Sequence, residues 1–319
     1  MGEAFTWQDG ERTIRFGRGT VATSPELLGA GYTLLTTERA EAGAPDVVAA
    51  AAAVHHVPEG RVDEIAGDLR GEVSGELLVA LGGGRVVDVT KALAAAAGPP
   101  VRAAAIPTTL SAAEMSHGHR HARGVDGSTS TVRPAIVIND PDLSASQPEP
   151  ALAASAANAL GHAVEGAVTV NASPVPILAA GEAVRLIEAA YATGEPDREA
   201  LALGALLSGY TIDHSGLGLH HVLCQTIVRV AGAGHGPANA AMLPHTIGAL
   251  RRRDAATIDA SALARDLARR AGTERLRDIG VAEDQLEQIA EAAAKRPQLA
   301  VTPPAADEAE LRDLLRAAW

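Results

Sequence analysis

The chain has 319 residues, 47% hydrophobic and 21% charged. At ~150 residues per domain that suffices for about two domains with cores of their own, which excludes a mini-protein, a disordered tail and a fibre. The 27 basic and 39 acidic residues leave a formal net charge of −12, a sign that cannot cheaply neutralise a phosphate backbone and so argues against nucleic acid as a partner.

In the first half, short β-branched runs alternate with alanine-rich helical stretches, the pattern of a parallel sheet with crossover helices. The runs predict strands over residues 13–16, 32–36, 77–81, 103–106 and 135–138, and helices over 61–69 and 86–97. Near residue 145 the character changes. Pro148 and Pro150 punctuate the chain, strand-like runs nearly vanish, and helical periodicity continues to the end. It predicts helices over 151–169, 175–192, 198–212, 217–230, 238–252, 257–271, 283–294 and 308–317. The expectation is an α/β domain over residues 1–145 and an all-α domain over 146–319. No apolar run is long enough to cross a bilayer, and the start lacks a basic-then-apolar leader, so the expected location is the cytoplasm.

Two loops in the first half look chemical. The run 77–81 enters Gly82-Gly83-Gly84 and then a helix carrying Asp88 and Lys91. A strand, a glycine turn and a helix N-terminus offer backbone N–H groups and a positive dipole end to an anion such as a dinucleotide pyrophosphate; the plain alternative is a tight turn. Lys91 stands out because Lys295 is the only other lysine, although a solvated lysine would read the same way. The second loop, with Thr108, Thr109 and Ser111, follows a strand where ligands bind in open α/β sheets; these hydroxyls could also simply cap a helix.

The second half carries histidines at helical spacing. Asn158 and His162 are four apart and share a face, as do His221 and Gln225, and His235 follows a glycine-rich break. Together they could converge on a divalent cation or on a polar pocket for an anionic substrate. With a single cysteine, Cys224, the chain has no internal disulfide and no multi-cysteine metal site. The alternating His117, His119 and His121 are equally explained by a polar surface hairpin, and His55 and His56 read as structural.

These blocks together resemble the iron-containing (group III) alcohol dehydrogenase superfamily, and within it the maleylacetate reductases. The resemblance runs through Phe16-Gly17-Arg18-Gly19, Gly82 to Asp88 with Lys91, Pro107-Thr108-Thr109 to Glu114-Met115, Asn158-Ala159-Leu160-Gly161-His162-Ala163-Val164-Glu165, and Gly218 to Cys224 through His235-Gly236 to Leu243-Pro244-His245. It implies a Rossmann-like domain followed by an all-α domain, the dehydroquinate synthase-like fold. It also implies NAD or NADP, with the pyrophosphate on Gly82, Gly83 and Gly84 and with Asp88, Lys91, Thr108, Thr109, Ser111 and Thr37 nearby. Thr37 opens Thr37-Glu38-Arg39 where an Asp would select NAD, which leaves NADP admissible.

In metal-dependent members an Asp and three His bind Fe²⁺ or Zn²⁺; carried over, these positions are Asn158, His162, His221 and His235. Asn158 removes the carboxylate and weakens the set for such a cation, as in the maleylacetate reductase branch, whose members generally need no metal. The catalytic candidates are then His162, His220, His221, His235 and Gln225, the last replacing a His common in the family. The implied activity is NAD(P)H-dependent reduction of an anionic oxo or enone acid, maleylacetate to 3-oxoadipate in aromatic catabolism, by a homodimer. The alternatives are a metal-dependent alcohol or aldehyde oxidoreductase on His162, His221 and His235, a dehydroquinate synthase-like lyase, and a non-catalytic nucleotide-binding paralogue.

Overall fold

A computed structural model describes residues 4–145 and 147–319. It divides into two compact units, one ending at residue 146 and the other spanning Gln147–Trp319. In the first unit the elements run β1 (Phe5–Asp9), β2 (Arg12–Phe16), α1 (Ser24–Leu28), β3 (Thr33–Thr36), α2 (Glu38–Glu41), α3 (Pro45–Ala49), β4 (Ala53–His56), α4 (Val62–Leu69), β5 (Leu77–Gly82), α5 (Gly84–Ala97), β6 (Arg102–Pro107) and β7 (Ile136–Asn139). Among the described residues the strands form one seven-stranded sheet in the order β1-β2-β7-β6-β5-β3-β4. The β1–β2 pair is antiparallel and every other pair is parallel.

The central strands are apolar on both faces, as a sheet covered on both sides requires. Side chains alternate between the faces, so Leu35, Leu78, Ala80, Ala103 and Ala105 pack with α5 through Val86, Val89 and Leu93, in one cluster. Leu34, Val79, Leu81, Ala104, Ile106 and Ile138 face the opposite cluster, with Tyr32, Val47 and Leu143. The alanines of β6 leave room for the helices to come close. From β3 the chain moves outward to β4, then returns to place β5 on the other side of β3 and continues inward to β6 and β7. That reversal is a topological switch point, and the crevice beyond the strand ends there is where open α/β sheets bind ligands.

The second unit is helical: α6 (Glu149–Gly166), α7 (Pro174–Ala190), α8 (Arg198–Ser215), α9 (Leu219–Ala231), α10 (His235–Arg253), α11 (Ser261–Arg270), α12 (Gln285–Ala294) and α13 (Glu308–Ala318). Helix α6 is apolar nearly all round, so it is buried along most of its length, from Leu152 to Gly166 with few breaks. It packs against α7, α8, α10 and α11. No helix among the described residues is long and apolar enough to cross a membrane.

The expected strands and long helices are all present, their ends displaced by a few residues. The structure adds β1 and β4, where the apolar alternation is weak, and the short helices α1, α2 and α3. The stretch around His117, His119 and His121 is irregular backbone rather than a hairpin.

Candidate active site

The loops after β3, β5 and β6 leave the same edge of the sheet. Gly82 pairs in register with Pro107, and the Thr108 N–H donates to the Gly82 carbonyl at 3.0 Å. The glycines are required by that neighbour. A Cβ on Gly83 would lie 3.0 Å from the Thr109 side chain, and one on Gly84 2.8 Å from Ser111. The two loops thus meet backbone to side chain, at a helix N-terminus with no side-chain cap. Uncapped N–H groups with no Cβ in front of them fit a dinucleotide pyrophosphate, so Gly83, Gly84, Thr109 and Ser111 would hold it.

Two buried cations fix the second loop. The Lys91 ammonium donates to Asp88 Oδ1 at 2.9 Å, the Ala113 carbonyl at 3.0 Å and the Gly118 carbonyl at 2.8 Å. An ammonium has three protons, and all three are committed. Lys91 is therefore not the phosphate ligand that its place in the sequence led one to expect; it holds the loop on which Thr108, Thr109 and Ser111 sit. From the other side the Arg12 guanidinium donates to the carbonyls of Glu114 at 3.0 Å and Met115 at 3.4 Å. Between these contacts Ala112 takes a left-handed φ of 60°, a strain that persists only where the surroundings fix it. The Glu114 carboxyl is buried in the same loop, and desolvation pushes it up to about 7 against the pull of Lys91 and Arg12.

Two other residues near this edge have local partners. Thr37 caps α2, its hydroxyl accepting from the Ala40 N–H at 3.3 Å. Arg85, whose guanidinium stands beside the glycine loop in the sequence, pairs with Glu59.

In the second unit, α6 and α9 bring His162, His220, His221 and Glu165 together. Gly161 makes this possible: a Cβ there would lie 2.6 Å from His220 Nε2 and 3.5 Å from His221 Cε1. The His162 and His221 rings stack at 4.4 Å between centroids and 13° between planes. Both are buried, and His162 Nδ1 and His221 Nε2 have no hydrogen-bond partner among the described residues. Burial holds both neutral, assisted by neighbouring histidines: His162 falls well below its ordinary value, and His221 falls to about 3. Glu165 accepts the His220 backbone N–H at 2.5 Å, and its other oxygen lies 2.8 Å from His221 Nδ1; burial pushes its carboxyl up against the pull of His220 and the nearby backbone.

His220 is not the catalytic group that its motif suggested. Its Nε2–H donates to Asn239 Oδ1 at 2.9 Å, and its Nδ1 accepts from the Thr246 hydroxyl at 2.8 Å. The Asn239 amide in turn donates to the His235 carbonyl at 2.8 Å. With both ring nitrogens engaged, His220 is a buried tie between α9 and α10. Cys224 packs against it, fully buried, its thiol pushed up by desolvation.

His235 is exposed at the start of α10. Asn158 is buried one turn before His162 on α6. Gln225, one turn beyond His221, accepts from the Arg296 guanidinium at 2.9 Å. Arg296 and Glu165 are the two participants to which sequence reasoning gave no role. Glu165 lies within the quoted motif, three residues after His162, whereas nothing in the local sequence marks Arg296. Arg229 is exposed in the last turn of α9, where a cation suits the helix dipole. Among the described residues no three His, Cys, Asp or Glu side chains gather into a set able to hold a metal ion. The donor chemistry agrees with that geometry, since Asn158 contributes no charge. The residues present do not fit a three-histidine metal centre.

Residues 152–264 match the C-terminal model of the Fe-containing alcohol dehydrogenase family. A maleylacetate reductase of Rhodococcus opacus is 30% identical over 268 residues, which are 76% of this chain and 73% of that relative. The chain belongs to the Fe-containing alcohol dehydrogenase family. A maleylacetate reductase of Sphingobium indicum is 32% identical over 244 residues, 72% of this chain, and the match spans 66% of that relative's length. The solved maleylacetate reductase of Rhizobium sp. strain MTP-10005 is similar with a TM-score of 0.81 and 26% identity, covering 100% of this chain and 99% of its own. An Fe-containing alcohol dehydrogenase chain of this kind is an oxidoreductase of a family that typically uses NAD(P).

Proposed function

We propose that the chain is an NAD(P)H-dependent reductase of an anionic enone acid, of the maleylacetate reductase type, forming 3-oxoadipate from maleylacetate. The observation that carries this reading is the stacked, buried pair His162 and His221. Each offers a ring nitrogen without a partner among the described residues, in a set where Asn158 stands in place of the metal-binding Asp and no three ligating side chains of the described residues gather. The relatives named maleylacetate reductases support the substrate class.

When bound, NAD(P)H supplies a hydride to the carbon–carbon double bond conjugated to the ketone, and one proton completes the saturated oxo acid. The chain's own residues do the rest. Gly83, Gly84, Thr109 and Ser111 hold the pyrophosphate. The His162 imidazole meets the ketone oxygen, where negative charge develops, in surroundings dry enough to strengthen a hydrogen bond from its N–H. His221, with a carboxylate behind its Nδ1–H, carries the proton in at Nε2, because Glu165 offsets the positive charge that the ring then bears. The Arg296 guanidinium anchors Gln225 one turn away and favours an anionic substrate.

The same reading expects a cytoplasmic homodimer with no nucleic acid or membrane partner. The test is a substrate panel followed at the nicotinamide absorbance. Oxidation of NADH or NADPH by maleylacetate and related 2-enone diacids is expected. Activity confined to simple alcohols or aldehydes would overturn the proposal.

A further inference from the structure

Glu165 is fully buried, and its two carboxylate oxygens have different partners. Oε1 accepts the backbone N–H of His220, in the first turn of α9, at 2.5 Å. Oε2 lies 2.8 Å from His221 Nδ1. The N-terminus of α9 begins at Gly218, with no side-chain cap of its own, so Oε1 performs the capping that α9 lacks. The backbone of Gly218 and His221 also acts on the carboxyl, so Glu165 serves the first turn of α9 as a whole. What capping leaves unexplained is the 2.8 Å contact between Oε2 and the His221 ring.

A neutral imidazole carries one proton, and whichever nitrogen holds it leaves the other as an acceptor. A carboxylate oxygen at 2.8 Å from Nδ1 keeps the proton there, which leaves Nε2 a lone pair in a buried space with no partner among the described residues. The ring cannot turn away, because it stacks on His162 and meets His220 edge-on at 4.8 Å. We infer that Glu165 is a positioning residue that fixes the Nδ1–H tautomer of His221 and so dedicates Nε2 to taking up a proton from solvent and passing it to the substrate, with Glu165 offsetting the charge of the ring in between. The catalytic consequence rests on the function proposed above; the tautomer does not.

The substitution Glu165→Gln separates the two oxygens. Its single carbonyl oxygen must stay on the His220 N–H, since a backbone amide cannot become an acceptor. Its NH₂ group then faces His221 Nδ1 and turns that nitrogen into an acceptor, which moves the ring proton to Nε2. Shape, burial and the His220 N–H contact are retained while the tautomer is inverted. Long-range ¹H–¹⁵N NMR on the full chain reads the tautomer directly, with the His221 signals assigned by their loss in His221→Gln.

The wild-type chain should show Nδ1–H at His221 and E165Q should show Nε2–H. With maleylacetate, kcat of E165Q should fall on the order of 100-fold while KM changes less than about threefold. Wild-type protein with Nε2–H, or E165Q that retains Nδ1–H, overturns the inference, and the wild-type spectrum decides it even where E165Q does not fold. An inverted tautomer with unchanged kcat overturns its catalytic part. No turnover of any enone diacid by the wild type refutes the proposed function and leaves the tautomer result standing.

Discussion

Gly161 lies inside α6, where glycine is about 1 kcal/mol worse than alanine on helix propensity alone. Propensity by itself therefore says that Gly161→Ala stabilises the protein. The packing says the opposite. The new Cβ would sit 2.6 Å from His220 Nε2 and 2.8 Å from its Cδ2, and His220 cannot yield, because it is fully buried with hydrogen bonds at both ring nitrogens. Overpacking of this kind costs about 1–3 kcal/mol, and displacing the ring from Asn239 forfeits a buried hydrogen bond worth about 1 kcal/mol, more where a group is left unsatisfied. After the propensity gain, the net expectation is a loss of about 1–3 kcal/mol, or several degrees in the melting temperature of the helical unit. His221 would shift with its neighbour, so activity should drop as well. Thermal and urea melts of G161A beside wild type give the sign. Stabilisation by about 1 kcal/mol, with activity unchanged, would refute the reasoning that the glycine exists to admit the imidazoles.

Three further outcomes are expected. Gly84→Ala puts a Cβ 2.8 Å from Ser111 at the mouth of the glycine loop; NADH and NADPH affinity by calorimetry should fall at least about tenfold, and the melting temperature should fall with it by the overpacking argument used for Gly161. Lys91→Met removes a donor to three acceptors and should destabilise the first unit by about 2–4 kcal/mol, while the salt dependence of NADH binding stays as in wild type; a flattened salt dependence would place Lys91 on phosphate instead. Glu114, raised from 4.5 to about 7 by burial, binds a proton more readily folded than unfolded. Its contribution to stability is therefore fully present at low pH and is lost as pH rises from about 4.5 through 7, and Glu114→Gln should remove up to about 3 kcal/mol of that slope in urea titrations across the range. A slope unchanged in E114Q would contradict the assignment.

The sheet and the long helices were legible because their signals are local. A continuous apolar run such as Leu77–Gly82 must be buried on both faces, and the helical spacing of α6 to α10 survives an alanine-rich composition. Strand β1, half exposed, has no such signal: it is specified by its pairing with β2. In the site, the meeting of the glycine loop with Thr109 and Ser111 could be anticipated, since each follows a strand on the same sheet edge. The partners of Lys91 could not, because they are backbone carbonyls at Ala113 and Gly118, and a carbonyl leaves no mark in a sequence. His220 and His221 are adjacent and indistinguishable by type. Only the structure shows one tied at both nitrogens by Thr246 and Asn239 and the other held at one nitrogen by Glu165. Arg296 reaches Gln225 across 71 residues of chain, a contact beyond any local pattern.

The central claim is that neutral imidazoles, without a metal, support hydride transfer to an enone acid. The most direct measurement is turnover of maleylacetate with NADH or NADPH by protein treated with a strong chelator and checked for metal content. The account predicts one 3-oxoadipate formed per nicotinamide oxidised, at a rate that chelation does not change and added Fe²⁺ or Zn²⁺ does not raise. Activity abolished by the chelator and restored by either metal would contradict it.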